Sequence, residues 1–145
     1  MRAAAIESLI LDASVTIAWC FQDETTPYTE SILDLVTSGS EAVVPALWPY
    51  EIANVLALAE RHRRASWASI RSFLDRLYIL PVRVDERSMT IAFEQVLSTA
   101  RERRLSAYDA AYLELAVRET LPLATLDRDL RRAASAVGVK IVGSL

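Results

Sequence analysis

The chain has 145 residues, 52% hydrophobic and 24% charged, which suits one compact domain with a full core. A single cysteine, Cys20, excludes an internal disulfide and any Cys/His zinc site, and a single histidine, His62, excludes a paired-histidine ribonuclease mechanism. The net charge of −3 argues on its face against a nucleic-acid partner, but setting aside four acids proposed below for one site leaves 15 acids against 16 bases.

Taken in order, the residues predict an alternation of strands and helices with no internal repeat, low-complexity tract or linker. Ile6 to Asp12 is a short apolar run ending in an acid, read as a first, central strand. The apolar stretch Leu9 to Phe21 is broken by Asp12 and falls short of the ~20 residues a bilayer span needs. No cleavable signal is visible, so the reducing cytosol is the expected home, with residues 1–5 as a loose tail on a single domain spanning 1–145. Ser14 to Phe21 reads as a short helix. Pro27 to Thr37 reads as another, with proline in its first turn. Ala42 to Val44 is a second strand stopped by Pro45.

Leu47 to Arg61 is helical, with Ile52, Val55, Leu56 and Ala59 on one stripe and Glu51 in the first turn; Asn54 follows on the same face. Trp67, Ile70, Phe73, Leu74 and Leu77 repeat at helical spacing, Ile79 to Val84 is a third strand, and Ser88 to Arg104 a longer helix. Ser106 to Glu119 is a helix carrying Asp109 near its start. Leu121 to Thr125 is a fourth strand, Asp127 to Val137 a helix, and Val139 to Val142 a last strand. Strands separated by helices of these lengths imply a doubly wound α/β domain with a mostly parallel central sheet and helices on both faces.

Asp12, Glu51, Asp109 and Asp127 each fall after a strand or in the first turn of a helix. Taken singly, each has an ordinary explanation. Ser106 and Asp109 have the spacing of a capping box, Asp127 and Asp12 can cap the helices that follow them, and Glu51 favours a helix dipole. Taken together they occupy one edge of one sheet, the edge where open α/β sheets bind their ligands. Two carboxylates ~5 Å apart repel by about 3 kcal/mol at an effective dielectric near 20, so a fold that gathers four of them implies a cation. Hard oxygen donors without neighbouring His or Cys select Mg²⁺, with Mn²⁺ as the other candidate. Fifteen of the 16 bases are arginine, in clusters at Arg61, Arg63 and Arg64, at Arg101, Arg103 and Arg104, and at Arg128, Arg131 and Arg132. Such clusters suit bidentate phosphate contacts or, equally, solvated helix ends.

The runs Leu-Ile-Leu-Asp-Ala-Ser-Val, Pro-Tyr-Glu-Ile-Ala-Asn-Val-Leu, Tyr-Asp-Ala-Ala-Tyr and Leu-Ala-Thr-Leu-Asp-Arg-Asp-Leu, in that order and spacing, resemble a PIN domain and specifically a VapC-type toxin. The resemblance covers Leu9 to about Val142. It implies a PIN-like α/β/α sandwich and a metal-dependent ribonuclease whose acids fall on Asp12, Glu51, Asp109 and Asp127. Ser14, Asn54 and Thr125 match supporting polar positions, and Asp129 matches a position that replaces or assists Asp127. The resemblance also implies an RNA substrate, a homodimer, and a small antitoxin, VapB-like, that covers the site. Two rival functions remain from the residues: a non-catalytic domain of the same fold that binds RNA or protein, and a Mg²⁺-dependent phosphotransfer or phosphoacceptor domain. The second lacks the further acid of an Asp-x-Asp pattern at Asp12-Ala13-Ser14, and the only lysine is Lys140.

Overall fold

The structure, a computed structural model, describes residues 5–87 and 89–143. Most of the expected loose tail, residues 1–4, and the expected first residue of the long helix, Ser88, lie outside the described residues.

The core begins at β1 (Ser8–Leu11), where Leu9, Ile10 and Leu11 are all fully buried. A strand apolar on both faces can be satisfied only in the middle of a sheet covered by helices on each side. Each such side chain contributes about 1.5–3 kcal/mol of burial. The sheet order is β3-β2-β1-β4, with β2 at Glu41–Pro45, β3 at Val82–Asp85 and β4 at Leu123–Ala124, and all the pairings are parallel. The chain therefore builds outward from β1 through β2 to β3, then returns to the other side of β1 for β4. That reversal makes the gap beyond the carboxyl ends of β1 and β4 the topological switch point of the sheet.

Helices connect and cover these strands. On the β1 side, α1 (Ala13–Cys20) leads through a 3-10 turn at Gln22–Glu24 to α2 (Pro27–Thr37), and α1 packs on both α2 and α3 (Trp48–Arg61). α2 starts on proline behind Thr26, whose hydroxyl accepts from the Thr29 amide while the Thr29 hydroxyl accepts from the Thr26 amide. α4 (Trp67–Tyr78) buries Ile70 and Phe73. A short α5 (Met89–Ile91) widens into a π-helical stretch at Ala92–Val96 and tightens again as α6 (Leu97–Arg103). α7 (Ala107–Glu119) packs on β1, β2, α6 and α8 (Arg128–Ala136), burying Tyr112, Leu113, Leu115 and Ala116. The result is the doubly wound α/β/α sandwich expected from the alternation of elements.

Strand expectations change in several places: Ile6 to Asp12 narrows to Ser8–Leu11 and Leu121 to Thr125 to Leu123–Ala124. Val139 to Val142 is a single bridge, Leu123 to Ile141, held by the Leu123 amide on the Lys140 carbonyl and the Val142 amide on the Leu123 carbonyl, both at 2.9 Å. The strand it pairs with is short, because Pro122 has no amide to donate, and Gly143 at φ 66° turns the chain away. The third strand starts at Val82, not Ile79, because Ile79 ends α4 and is 82% exposed.

Candidate metal centre

Parallel register places the first pair of site residues side by side. Ile10 is paired with Leu123 and Leu11 with Ala124, so the residues that follow, Asp12 and Thr125, leave the sheet level with each other. The Asp12 amide still bonds to the Ala124 carbonyl at 3.0 Å. Asp12 is 5% exposed and Thr125 fully buried. Oδ2 of Asp12 accepts from the Thr125 hydroxyl at 2.7 Å and from the Ser14 hydroxyl at 2.6 Å. Ser14 Oγ in turn accepts from the Leu126 amide at 3.1 Å, and Thr125 Oγ1 from the Asp127 amide at 3.0 Å. The turn after β4 is thus laced to the turn after β1 by two hydroxyls, both anticipated as supporting positions.

Glu51 reaches the centre from the first turn of α3. Its Oε1 accepts from the Tyr112 hydroxyl at 2.7 Å, and the same Tyr112 oxygen accepts from the Ala13 amide at 3.3 Å. Tyr112 was not identified from the sequence as a site residue. The available signal was its place one turn after Asp109 on the same face of α7. Burial, the charge of Asp12 and the bond to Glu51 push the Tyr112 hydroxyl well above its ordinary range, so it stays a donor. Asp109 lies in the first turn of α7, whose cap is Ser106 Oγ accepting from the Asp109 amide at 3.1 Å. Asp127 caps α8, Oδ1 accepting from the Leu130 amide at 2.8 Å. Asn54 stands apart, whereas Asp129 is held by a surface arginine and its charge still reaches Asp109. Asn54 is exposed and joins no acid by a hydrogen bond among the described residues, and Asp129 is exposed and paired with Arg132 at 2.9 Å.

The electrostatics are those of crowded like charges. Burial raises the Asp12 carboxyl, a shift that two hydroxyl donors oppose and the charge of Asp127 augments. Burial also raises Glu51, with Asp12 and Asp109 adding to the shift and Tyr112 opposing it. Asp109 is pushed up to about 6 by burial and then by Asp127, Asp12 and Asp129. Among the described residues none of Asp12, Glu51, Asp109 or Asp127 forms an ion pair. Elsewhere the fold does pair its buried acids: Arg118 joins Asp85 at 2.8 Å and Glu114 at 2.7 Å.

Among the described residues no three His, Cys, Asp or Glu side chains stand as a ready cage for a metal. The fit therefore rests on the kind of donor present: carboxylate oxygens are what Mg²⁺ takes, one or two directly and the rest of its shell as water. The donor set agrees: carboxylate and hydroxyl oxygens, mutual repulsion that a divalent cation would relieve, and neither sulfur nor imidazole nearby.

A doubly wound domain with acids at the turns around its switch point narrows the class. Within that class, the PIN domain family model matches residues 9–136, and the chain belongs to the PIN domain family. PIN domains are generally metal-dependent nucleases, hydrolases of phosphodiester bonds. Among solved structures, PAE2754 from Pyrobaculum aerophilum is similar at 26% identity with a TM-score of 0.68, over 99% of this chain and 91% of that one. No curated protein matches the chain. No helix among the described residues is long and apolar enough to cross a membrane.

Proposed function

We propose that this chain is a Mg²⁺-dependent endoribonuclease, with Mn²⁺ as an alternative ion, acting in the cytoplasm as the VapC-type toxin of a toxin–antitoxin pair. The observation that carries the reading is that Asp12 and Asp127 share the Thr125 hydroxyl, Asp12 and Asp109 raise the Glu51 carboxyl, and Asp12 and Asp127 raise that of Asp109, with none of the four in an ion pair among the described residues. Asp12, Glu51 and Asp109 would hold the ion, directly or through water, and Asp127 would complete the site from the α8 N-terminus. Such an ion lowers the pKa of a bound water and offsets charge on phosphate oxygens.

The chain's own groups do the positioning. Ser14 and Thr125 fix Asp12, Tyr112 fixes Glu51, and the N-terminal turns of α7 and α8 add partial positive charge toward a phosphate. Arg101, Arg103 and Arg104, all exposed, immediately precede the α7 start that carries Asp109, and supply a basic approach for RNA. The Arg61 cluster does not contribute, because it lies about 15 Å along α3 from Glu51 and Arg64 is committed to Asp23 and Glu24. Attack by water needs no ribose 2′-hydroxyl, so the products carry 5′-phosphate and 3′-hydroxyl ends.

The partners of the proposal are a small VapB-like antitoxin and a second copy of the chain. An apolar groove of about 580 Å³ between α3 and α4, lined by Trp48, Ile52, Leu56, Trp67, Leu74 and Tyr78, suits an apolar antitoxin segment. Met89, Phe93 and Leu97, 68%, 68% and 49% exposed at intervals of four, offer an apolar stripe for a homodimer. The phosphoacceptor alternative is disfavoured by Lys140, the only lysine, which is level with Pro122, three residues back along the sheet from Thr125.

The test is incubation of the purified chain with RNA and Mg²⁺, with and without chelator. Cleavage that stops on chelation and leaves 5′-phosphates is expected. Activity that survives both chelation and Asp12→Ala would end the metal-nuclease reading. Growth arrest relieved by the protein of the adjacent gene is expected of the toxin role.

A further inference from the structure

Arg128, Arg131 and Arg132 form one basic run in the sequence, yet the structure gives them different positions. Arg128 is exposed and Arg132 pairs with Asp129, whereas Arg131 turns inward toward the base of the acidic centre. Its Nε donates to the Thr125 carbonyl at 2.8 Å. Its guanidinium carbon sits 5.0 Å from the centre of the Tyr28 ring, and its Nη2 is buried with no partner.

Thr125 is the residue through which this matters. It follows β4, whose ladder ends at Ala124, so its buried carbonyl needs an acceptor's partner from elsewhere. Its hydroxyl meanwhile donates to Asp12 and accepts from the Asp127 amide. Rotation of the Thr125 peptide would pull that hydroxyl off both acids at once. Arg131, six residues on and one turn into α8, closes the loop from the other side. Its stacking on Tyr28 fixes the direction from which Nε approaches.

We propose that Arg131 is a positioning residue whose Nε–H, rather than its charge, anchors the Thr125 carbonyl and thereby holds Asp12 and Asp127 in the arrangement that takes up the divalent cation. This rests on the metal-centre reading above, and the two can fail separately. One of the three arginines in a basic cluster that looks suited to phosphate is, on this account, part of the scaffold of the site.

The test uses three variants of the whole chain and Mg²⁺ alone, without RNA, read by titration calorimetry and by the melting shift on adding the ion. Glutamine carries an N–H donor after the same number of side-chain carbons as arginine Nε but is neutral. Lysine keeps the charge and places its nitrogen one atom further out. Methionine matches the length with neither. Loss of groups that orient metal ligands costs about 10–100-fold in affinity, and for this more remote residue a loss near the lower end, about tenfold, is expected in Arg131→Met and Arg131→Lys. Arg131→Gln should recover most of it, with KM for RNA unchanged and kcat following the metal affinity. If Arg131→Met does not fold, the ranking of glutamine against lysine decides. Glutamine binding Mg²⁺ more tightly than lysine supports the proposal; the reverse order, or equality, overturns it. A parent that binds no Mg²⁺ overturns the metal centre itself.

Discussion

Asp109 shows at the scale of one residue how the centre differs from a row of helix caps. A carboxylate in the first turn of a helix is ordinarily stabilised by the dipole, by about 0.3–1 kcal/mol. Here burial and the charges of Asp127, Asp12 and Asp129 outweigh that attraction and lift its carboxyl from the usual 3.8 to about 6. The folded chain consequently holds this proton more tightly than the unfolded chain does. Its contribution to stability is full below the unfolded value and is lost as pH rises through about 6. Without metal, the parent should therefore lose stability relative to Asp109→Asn between pH 4.5 and 7.5, as thermal melts in chelator would show; a pH-independent difference would contradict the shift. Tyr112 gives a second prediction. Tyr112→Phe leaves the buried Ala13 amide without its acceptor and frees Glu51, at a cost of about 1–3 kcal/mol and with weaker metal binding. A chemical denaturation midpoint equal to the parent's would show the hydroxyl to be idle.

At the scale of elements, capping and function are superimposed. Asp127 is an N-cap by geometry, as the local sequence suggested, and its amide on the Thr125 hydroxyl sets it beside the proposed site as well. Asparagine caps as well as aspartate, whereas alanine costs about 0.5–2 kcal/mol. Asp127→Asn keeps the cap and relieves repulsion on Asp109 and Asp12, so in metal-free melts it should be at least as stable as the parent and more stable than Asp127→Ala, which loses the cap, while both lose part of the Mg²⁺ response. An Asp127→Asn protein with the full response would make this residue a cap and nothing more. Helix starts were legible because their signals are local: Pro27 in a first turn, Ser106 three residues before Asp109, Asp127 before an amphipathic run. Strand lengths were less so. Leu121 to Thr125 looks like five strand residues, but pairing is set by partners distant in sequence: among the described residues only Leu123 and Ala124 find partners in β1, and only Leu123 has one on the other side as well.

At the scale of the whole molecule, the alternation of apolar runs and helical periods was enough to give a doubly wound sheet, and the position of the acids after strands or in first turns is what suggests that they share one edge. The strand order was not legible, and with it the switch point between β1 and β4. Nor were the bonds that organise the centre, because Tyr112 meets Glu51 across 61 residues and Thr125 meets Asp12 across 113. The residues that hold the acids are therefore clearer in the structure than in the chain. The central claim, that these carboxylates are gathered for a divalent cation and not for helix capping, is tested most directly by melting the parent and Asp109→Asn at pH 7.5 in chelator and again with Mg²⁺. Without metal the variant should be at least as stable as the parent, because neutralising Asp109 relieves repulsion. At ten times its dissociation constant Mg²⁺ should stabilise the parent by about 1.4 kcal/mol, a shift of about 3–6 °C, and the variant by much less. A variant less stable than the parent without metal that keeps the full Mg²⁺ shift would contradict the account.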